Sequence, residues 1–188
     1  AFDKLSGFAD QALNFFNDFS NVELELRTKS IAINSLLQRR PLSNCVVAFS
    51  LSPAKIAKSL DSKAPSISRR ISAIKQLAAA GWKIGLRFDP LIYTSDWKEL
   101  YASLFTDIMD GLDPSMIHSL SYGPLRFPKK MYKKAASLHP EHKLFAFPME
   151  DTKGVVSYGT KIETQMHDFL KSELNKYTSE KKIFQCTI

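Results

Sequence analysis

The side chains best suited to chemistry fall in four short stretches, each closing or leaving a segment with strand character. Lys29 and Ser30 end "VELELRTKS" (22–30), and Ser50 and Ser52 end "NCVVAFSLS" (44–52). Arg87 and Asp89 lie in "KIGLRFDPLIY" (83–93), and Tyr122 and Arg126 lie in "MIHSLSYGPLRF" (116–127). Ammonium and guanidinium groups can neutralise a carboxylate or phosphate, while hydroxyls and carboxylates can bond sugar or amino groups. Together they suit a polar, partly anionic ligand. The familiar catalytic signatures GxGxxG, P-loop, HExxH and GxSxG are absent. His118, His139, His142 and His167 are scattered, and "HPEH" (139–142) falls in a predicted turn rather than on a ligand-bearing helix. Cys45 opens an apolar strand and reads as buried and inert. Cys186 would need a neighbouring cation to become reactive. No catalytic base or nucleophile stands out.

The segments that must position these groups follow from periodicity. Val22, Leu24 and Leu26 alternate with Glu23, Glu25 and Arg27, which is strand spacing. Before it, residues 4–19 read as an amphipathic helix carrying Phe8, Leu13 and Phe16. Ser30 is placed to cap a helix over 31–39 that Pro41 stops. Residues 45–49 are apolar without alternation, as expected for a strand covered on both faces. A polar loop is expected next. Ser66 or Ser68 then starts a helix carrying Ile67, Ile71, Ile74 and Leu77, ended by Gly81. Residues 83–93 read as the third strand. Asp96 and Glu99 form a capping box for the following helix. Residues 116–127 read as a fourth strand, and a short basic helix follows Pro128. "KLFAFP" (143–148) is expected extended, "VVSYG" (155–159) a strand or turn, 160–178 a helix, and "KIFQCTI" (182–188) a strand. Helices alternate with strands without tight hairpins among the first three strands, which predicts an α/β architecture of parallel strands and helical crossovers. Ligands in such sheets bind at the carboxyl ends of the strands, where the four stretches converge.

The composition is that of a globular domain, 44% hydrophobic and 24% charged, which argues against wholesale disorder. A net charge of +7 favours a polyanionic partner such as nucleic acid. Two distant cysteines without metal-ligand spacing fit a reduced, cytoplasmic protein. Neither a membrane-length apolar run nor a secretory signal pattern occurs.

Several stretches, in order, resemble the C-terminal half of the spore photoproduct lyase family, radical S-adenosylmethionine enzymes that repair a thymine dimer in DNA. They are "VELELRTKS", "VVAFSLSP", "APSISRRISAIKQLAAAGWKIGLRFDPLIY", "DWKELYASLF", "LRFPKKMYKKA" and "VVSYG". The third carries most weight. The resemblance implies the C-terminal part of a partial (β/α) TIM-type barrel over residues 1–148, with a small α+β appendage over 149–188 contacting substrate or DNA. It implies that Lys29, Ser50 and Asp89 line the S-adenosylmethionine pocket. Tyr158 and Lys161 match positions that hold the lesion. Arg126, Lys129 and Lys130, with Lys133 and Lys134, are placed to meet phosphates. The Arg usual before that Tyr is Ser157 here.

The family's CxxxCxxC loop, which binds a [4Fe–4S] cluster, does not occur, and Cys45 and Cys186 cannot supply three thiolates. The sequence begins with Ala1, and the resemblance implies that the cluster ligands and a hydrogen-donating Cys lie upstream, in a missing N-terminal segment. Alone, the chain is then expected to be inactive, and a half barrel would expose a parallel strand edge. In the family's mechanism a 5′-deoxyadenosyl radical takes a hydrogen atom from the lesion and the cross-linking carbon–carbon bond breaks. A small reductant or electron-transfer protein would be a partner. Tyr93, Tyr122 and Tyr158 are candidate radical relays. The alternatives are a non-catalytic, basic nucleic-acid-binding module lacking the iron–sulfur half, and a barrel fragment of another enzyme.

Overall fold

A computed structural model describes residues 6–61 and 63–186. The chain runs through α1 (Phe8–Phe16), β1 (Leu24–Thr28), α2 (Asn34–Leu37), β2 (Cys45–Ser50), α3 (Ala54–Leu60), α4 (Ile67–Ala79), β3 (Lys83–Leu91) and α5 (Trp97–Met109). It continues through β4 (Ile117–Pro124), β5 (Arg126–Pro128), α6 (Lys129–Leu138), β6 (Met149–Thr152), β7 (Val155–Tyr158), α7 (Thr160–Leu174) and β8 (Ile183–Gln185). Five strands form a sheet in the order β1-β2-β3-β4-β8, and every neighbouring pair is parallel. A second, antiparallel sheet has the order β5-β7-β6. This is an α/β fold with a mostly parallel sheet, part of a TIM-type barrel. Each sheet draws strands from both sides of residue 148, since β5 joins the antiparallel sheet and β8 joins the parallel one.

Partners in a parallel ladder share a face, so the register sorts the side chains. Cys45, Val47 and Phe49 of β2 lie beside Ile84, Leu86 and Phe88 of β3, with Leu120 and Tyr122 of β4 beyond them. This face is apolar and buried under α4, α5 and α7, whose Ile74, Leu77, Phe105, Ile108 and Leu170 are inaccessible. Phe88 meets Phe105 edge-on with ring centroids 4.9 Å apart. The buried Trp82 ring satisfies its N–H on the Leu36 carbonyl at 3.1 Å, which fastens α2 to the start of β3.

The opposite face carries Glu25, Arg27, Ala48, Ser50, Gly85, Arg87, Ser119 and Ser121. Arg87 organises it. Its Nε and Nη2 reach Glu25 on β1 at 3.1 and 2.5 Å, and Nη1 and Nη2 reach the Ser119 carbonyl and hydroxyl on β4 at 3.1 and 3.0 Å. A pair joining β1 to β3 has to cross β2. That crossing passes over β2, whose Val46 and Ala48 on the same face are buried. The guanidinium lies over Gly85, where an added Cβ would stand 2.7 Å from Arg87 Nη2 and 2.9 Å from the Ala48 Cβ.

Several local expectations are corrected. The polar loop after β2 contains α3, which starts behind Pro53 and buries Ile56 and Ala57. Pro at a helix entrance and that apolar spacing were the overlooked signal. The helix expected over 31–39 shrinks to a single turn, because the Ser30 hydroxyl accepts the Ala32 N–H at 3.1 Å and forms a local turn instead of a cap. The helix that buries Leu13 runs Phe8–Phe16, shorter than 4–19, and leaves Phe8 66% exposed; residues 4 and 5 lie outside the described residues. Asp96 stands at the N-cap of α5 but spends its carboxylate on Lys55, 2.5 Å away, and on Thr94. "KLFAFP" holds a 3-10 turn at Lys143–Phe145 rather than a strand. The stretch 116–127 divides at Leu125 between the two sheets, and the final strand is confined to Ile183–Gln185, with 187–188 outside the described residues.

Gly85→Ala is expected to cost about 1–3 kcal/mol through overpacking. In urea denaturation that cost should shrink on an Arg87→Ala background, where the nearer of the two collisions is gone. Equal costs in both backgrounds would remove the guanidinium from the explanation.

Candidate functional site

The parallel sheet brings the carboxyl ends of β1 to β4 to one edge. Lys29 stands one residue beyond β1, with its ammonium 2.6 Å from Asp61 Oδ1 and its side chain 46% exposed. The other Asp61 oxygen accepts both terminal nitrogens of Arg70 at 3.1 Å. Arg70 is fully buried and spends its remaining donors on the carbonyls of Pro65 (2.9 Å) and Ser50 (3.1 Å). One carboxylate therefore ties the exposed ammonium after β1 to a guanidinium anchored in α4 and to the backbone at the end of β2. Burial pushes the Asp61 carboxyl up, but the hydrogen bonds and charges of Lys29 and Arg70 together outweigh it and hold it below its ordinary value.

Arg27 extends the edge sideways. Its Nε donates to the Ser50 hydroxyl at 3.2 Å, and its Nη2 reaches the Asp89 carbonyl at 3.5 Å. The Asp89 carboxylate pairs with Arg126 Nη2 at 2.9 Å, and Arg126 Nη1 donates to the carbonyls of Pro124 and Cys186. Gly123 makes room for this arginine, since a Cβ there would collide with Nη1. Lys29, Ser50, Asp89 and Arg126 thus occupy one edge, connected through Arg27, Asp61 and Arg70. Arg27 opens the polar cluster Arg27-Thr28-Lys29-Ser30 at the end of the first strand, which the sequence marks as a candidate wall. Sequence reading missed Asp61 and Arg70, which are joined only once α3 and α4 are folded.

Other sequence-predicted residues lie elsewhere. Arg87 is not an edge group but the buried bridge beneath the edge. There the hydrogen bond from Arg87, against a smaller opposing effect of burial, holds the Glu25 carboxyl below its ordinary value. Tyr122 points to the helix-covered face, where its hydroxyl lies 2.7 Å from His167 Nδ1. Ser30 is used in its local turn. Tyr158 is buried at 3% exposure, and its hydroxyl accepts the Tyr93 N–H at 2.9 Å. Burial raises this phenol to about 12. Ser157 is buried too, its hydroxyl set against the Leu125 carbonyl and the Glu163 carboxylate where β7 enters α7. Lys161 is exposed on the first turn of α7. Lys129 pairs with Asp151 at 2.6 Å, whereas Lys130, Lys133 and Lys134 are exposed along α6.

Among the described residues no group of three or more His, Cys, Asp and Glu side chains could hold a metal ion. Cys45 is buried, with its thiol raised to about 11 by desolvation. No helix of the described residues is long and apolar enough to cross a membrane.

Parallel strands with helical crossovers, a charged carboxyl edge and a small antiparallel sheet beside it define the chain as part of a TIM-type (β/α) barrel. A family model described as spore photoproduct lyase matches residues 1–185. The chain belongs to the spore photoproduct lyase family. It is 23% identical over 159 residues to the spore photoproduct lyase of Clostridium acetobutylicum, a match covering 84% of this chain and 46% of the relative. It is 23% identical over 144 residues to that of Bacillus subtilis, covering 76% and 42%. The chain therefore spans about half the length of the curated relatives it matches. Among solved structures, spore photoproduct lyase complexed with dinucleoside spore photoproduct superposes with a TM-score of 0.80 at 19% identity, covering 97% of this chain and 56% of that one. A variant of that enzyme with bound AdoMet and dinucleoside spore photoproduct gives 0.78 at the same identity and coverage. These likenesses establish a shared fold.

Asp61→Asn should destabilise the chain by about 2 kcal/mol or more, because Arg70 stays buried without its counter-ion. The folded state ionises Asp61 more readily than the unfolded state does. Its contribution is therefore complete above the ordinary carboxylate pKa of about 3.9 and is lost as pH falls through the lower folded value. Denaturation curves taken through that acid range should fall less steeply for Asp61→Asn than for the natural chain. Parallel curves would contradict the assignment.

Proposed function

We propose that this chain forms the cofactor- and DNA-contacting part of a radical S-adenosylmethionine lyase that breaks the cross-linking carbon–carbon bond of a thymine dimer in DNA. The observation that carries the proposal is the convergence of Lys29, Ser50 and Asp89 on one sheet edge, where Arg27 bridges Ser50 to Asp89 and Asp61 holds Lys29. Membership of the spore photoproduct lyase family supports it.

The donor set fits S-adenosylmethionine. Lys29 offers a half-exposed ammonium to the methionyl carboxylate, and Ser50 offers a hydroxyl to the ribose or amino group. Asp89, fixed by Arg126, presents a carboxylate oxygen on the neighbouring strand. When bound, this cofactor supplies the radical that takes a hydrogen atom from the lesion; the chain's own residues bind, orient and exclude water. The [4Fe–4S] cluster does not fit the described residues, which lack a cluster of thiolates, so its ligands would come from another segment of polypeptide. DNA is held by charge: the exposed Lys130, Lys133 and Lys134 on α6 and Lys161 on α7 meet phosphates, whereas Lys129 at the start of α6 is paired with Asp151 and Arg126 with Asp89. Tyr158 acts from beneath, by holding the backbone of Tyr93 in place. A cytoplasmic location accords with reduced cysteines and DNA as partner.

Calorimetric titration separates the readings. Lys29→Ala with Ser50→Ala should weaken S-adenosylmethionine binding by about tenfold or more, as expected for losing a charge-assisted hydrogen bond. Binding of an oligonucleotide carrying the thymine photoproduct should persist. Oligonucleotide binding without any cofactor affinity in the natural chain would favour a non-catalytic nucleic-acid-binding module. Failure to bind either would overturn the proposal.

A further inference from the structure

Beside the cofactor edge lies a cavity of about 270 Å³ that none of the assigned roles uses. Ile56, Ile92 and Leu144 form its apolar wall, with the rings of Tyr93 and Phe147 set at 87° and 5.1 Å apart, and polar side chains, His142 among them, line the rest. Lys143 stands exposed at its lining. The acid on the wall, Asp96, is already neutralised by Lys55 and bonded to Thr94, which leaves the cavity without an unpaired carboxylate to repel an anion. The hydroxyls of Ser59 and Ser95 lie in the lining and are exposed.

The cavity also adjoins the lysine-bearing surface. The segment that contributes Lys143 and Phe147 packs on α6 through Tyr132 and Phe145, whose ring centroids are 5.6 Å apart. On the other side, Tyr93 follows β3 four residues after Asp89 and is held by the Tyr158 hydroxyl. The cavity therefore sits between the lysines of α6 and the cofactor edge.

We propose that this cavity takes one unstacked base of the DNA strand that flanks the lesion, with Tyr93 and Phe147 contacting the base and Lys143 its phosphate. Aromatic rings beside a track of cations are how single-stranded nucleic acid is held without reading its sequence. A base drawn out of its stack needs a part-apolar pocket with a few hydroxyls at its edge. The size, at the low end of small-ligand sites, suits one nucleoside rather than a longer segment. This inference rests on the reading of the chain as DNA-binding.

The test is equilibrium binding of a short single-stranded oligothymidylate in which one abasic site is moved along the strand. In the natural chain, one position should be found where loss of the base weakens binding by about tenfold. Phe147→Ala should weaken the intact strand similarly and make that abasic site cost nothing more. Lys143→Ala, at an exposed side chain whose removal spares the fold, should weaken intact and abasic strands alike and lower the salt slope by about one. Oligothymidylate binding with no base-sensitive position, or losses from Phe147→Ala and the abasic site that simply add, would overturn the pocket and leave the DNA reading standing. No salt-sensitive binding of any oligonucleotide would overturn both.

Discussion

Parallel pairing of β1, β2, β3, β4 and β8 is the constraint on which the site depends. It sends every strand of that sheet in one direction, so that Lys29, Ser50, Asp89 and the start of the β4–β5 turn arrive at the same edge. It also gives partners in neighbouring strands a common face. One face becomes the core under the helices. The other collects Glu25 and Arg27, which stay exposed, with Ser50, Arg87 and Ser119. Arg87 and Ser119 are buried there, which would be unfavourable had they not satisfied each other and Glu25. Among the described residues no buried side-chain nitrogen or oxygen lacks a hydrogen-bond partner.

Two buried arginines show how that is achieved at low cost. A guanidinium has five donors in a fixed fork, and an interior guanidinium short of acceptors is destabilising. Arg70 divides its donors between Asp61 and two carbonyls, and Arg87 between Glu25, Ser119 and the Leu86 carbonyl. Each joins elements distant in the chain. Arg70 fixes the loop after α3 to the end of β2, which sets where the Lys29 ammonium rests. Arg87 spans the sheet beneath the edge and keeps β1, β3 and β4 in place as a platform.

The strand order was largely legible in the sequence because its signals are local. Alternation marked β1, an unbroken apolar run marked β2, and Ser66 with Gly81 bounded α4. Lys29, Ser50, Asp89 and Arg126 could be nominated from their place at strand ends. What connects them was not legible. Asp61 stands 32 residues from Lys29, and Glu25 stands 62 from Arg87, with no pattern in the intervening sequence to pair them. The orientation of Tyr122 follows from the pairing register of β4 with β3, which hydrophobic pattern alone left open because a tyrosine suits either face. Ser30 and Asp96 looked like helix caps, yet each hydroxyl or carboxylate found a competing partner nearby.

The contact between Gly85 and Arg87 bears on how such a sheet can change over generations. While the guanidinium lies across the glycine, position 85 tolerates no larger side chain without displacement. If Arg87 were exchanged first, Glu25 would lose its partner and Val46 and Ala48 part of their cover. Either single step passes through a weakened protein, and neither restores what the other removes until both are made. Divergent descendants of this sheet that keep the arginine should therefore keep the glycine with it, and a larger side chain at 85 has to be matched by change at both Arg87 and Ala48, three positions inherited as one character.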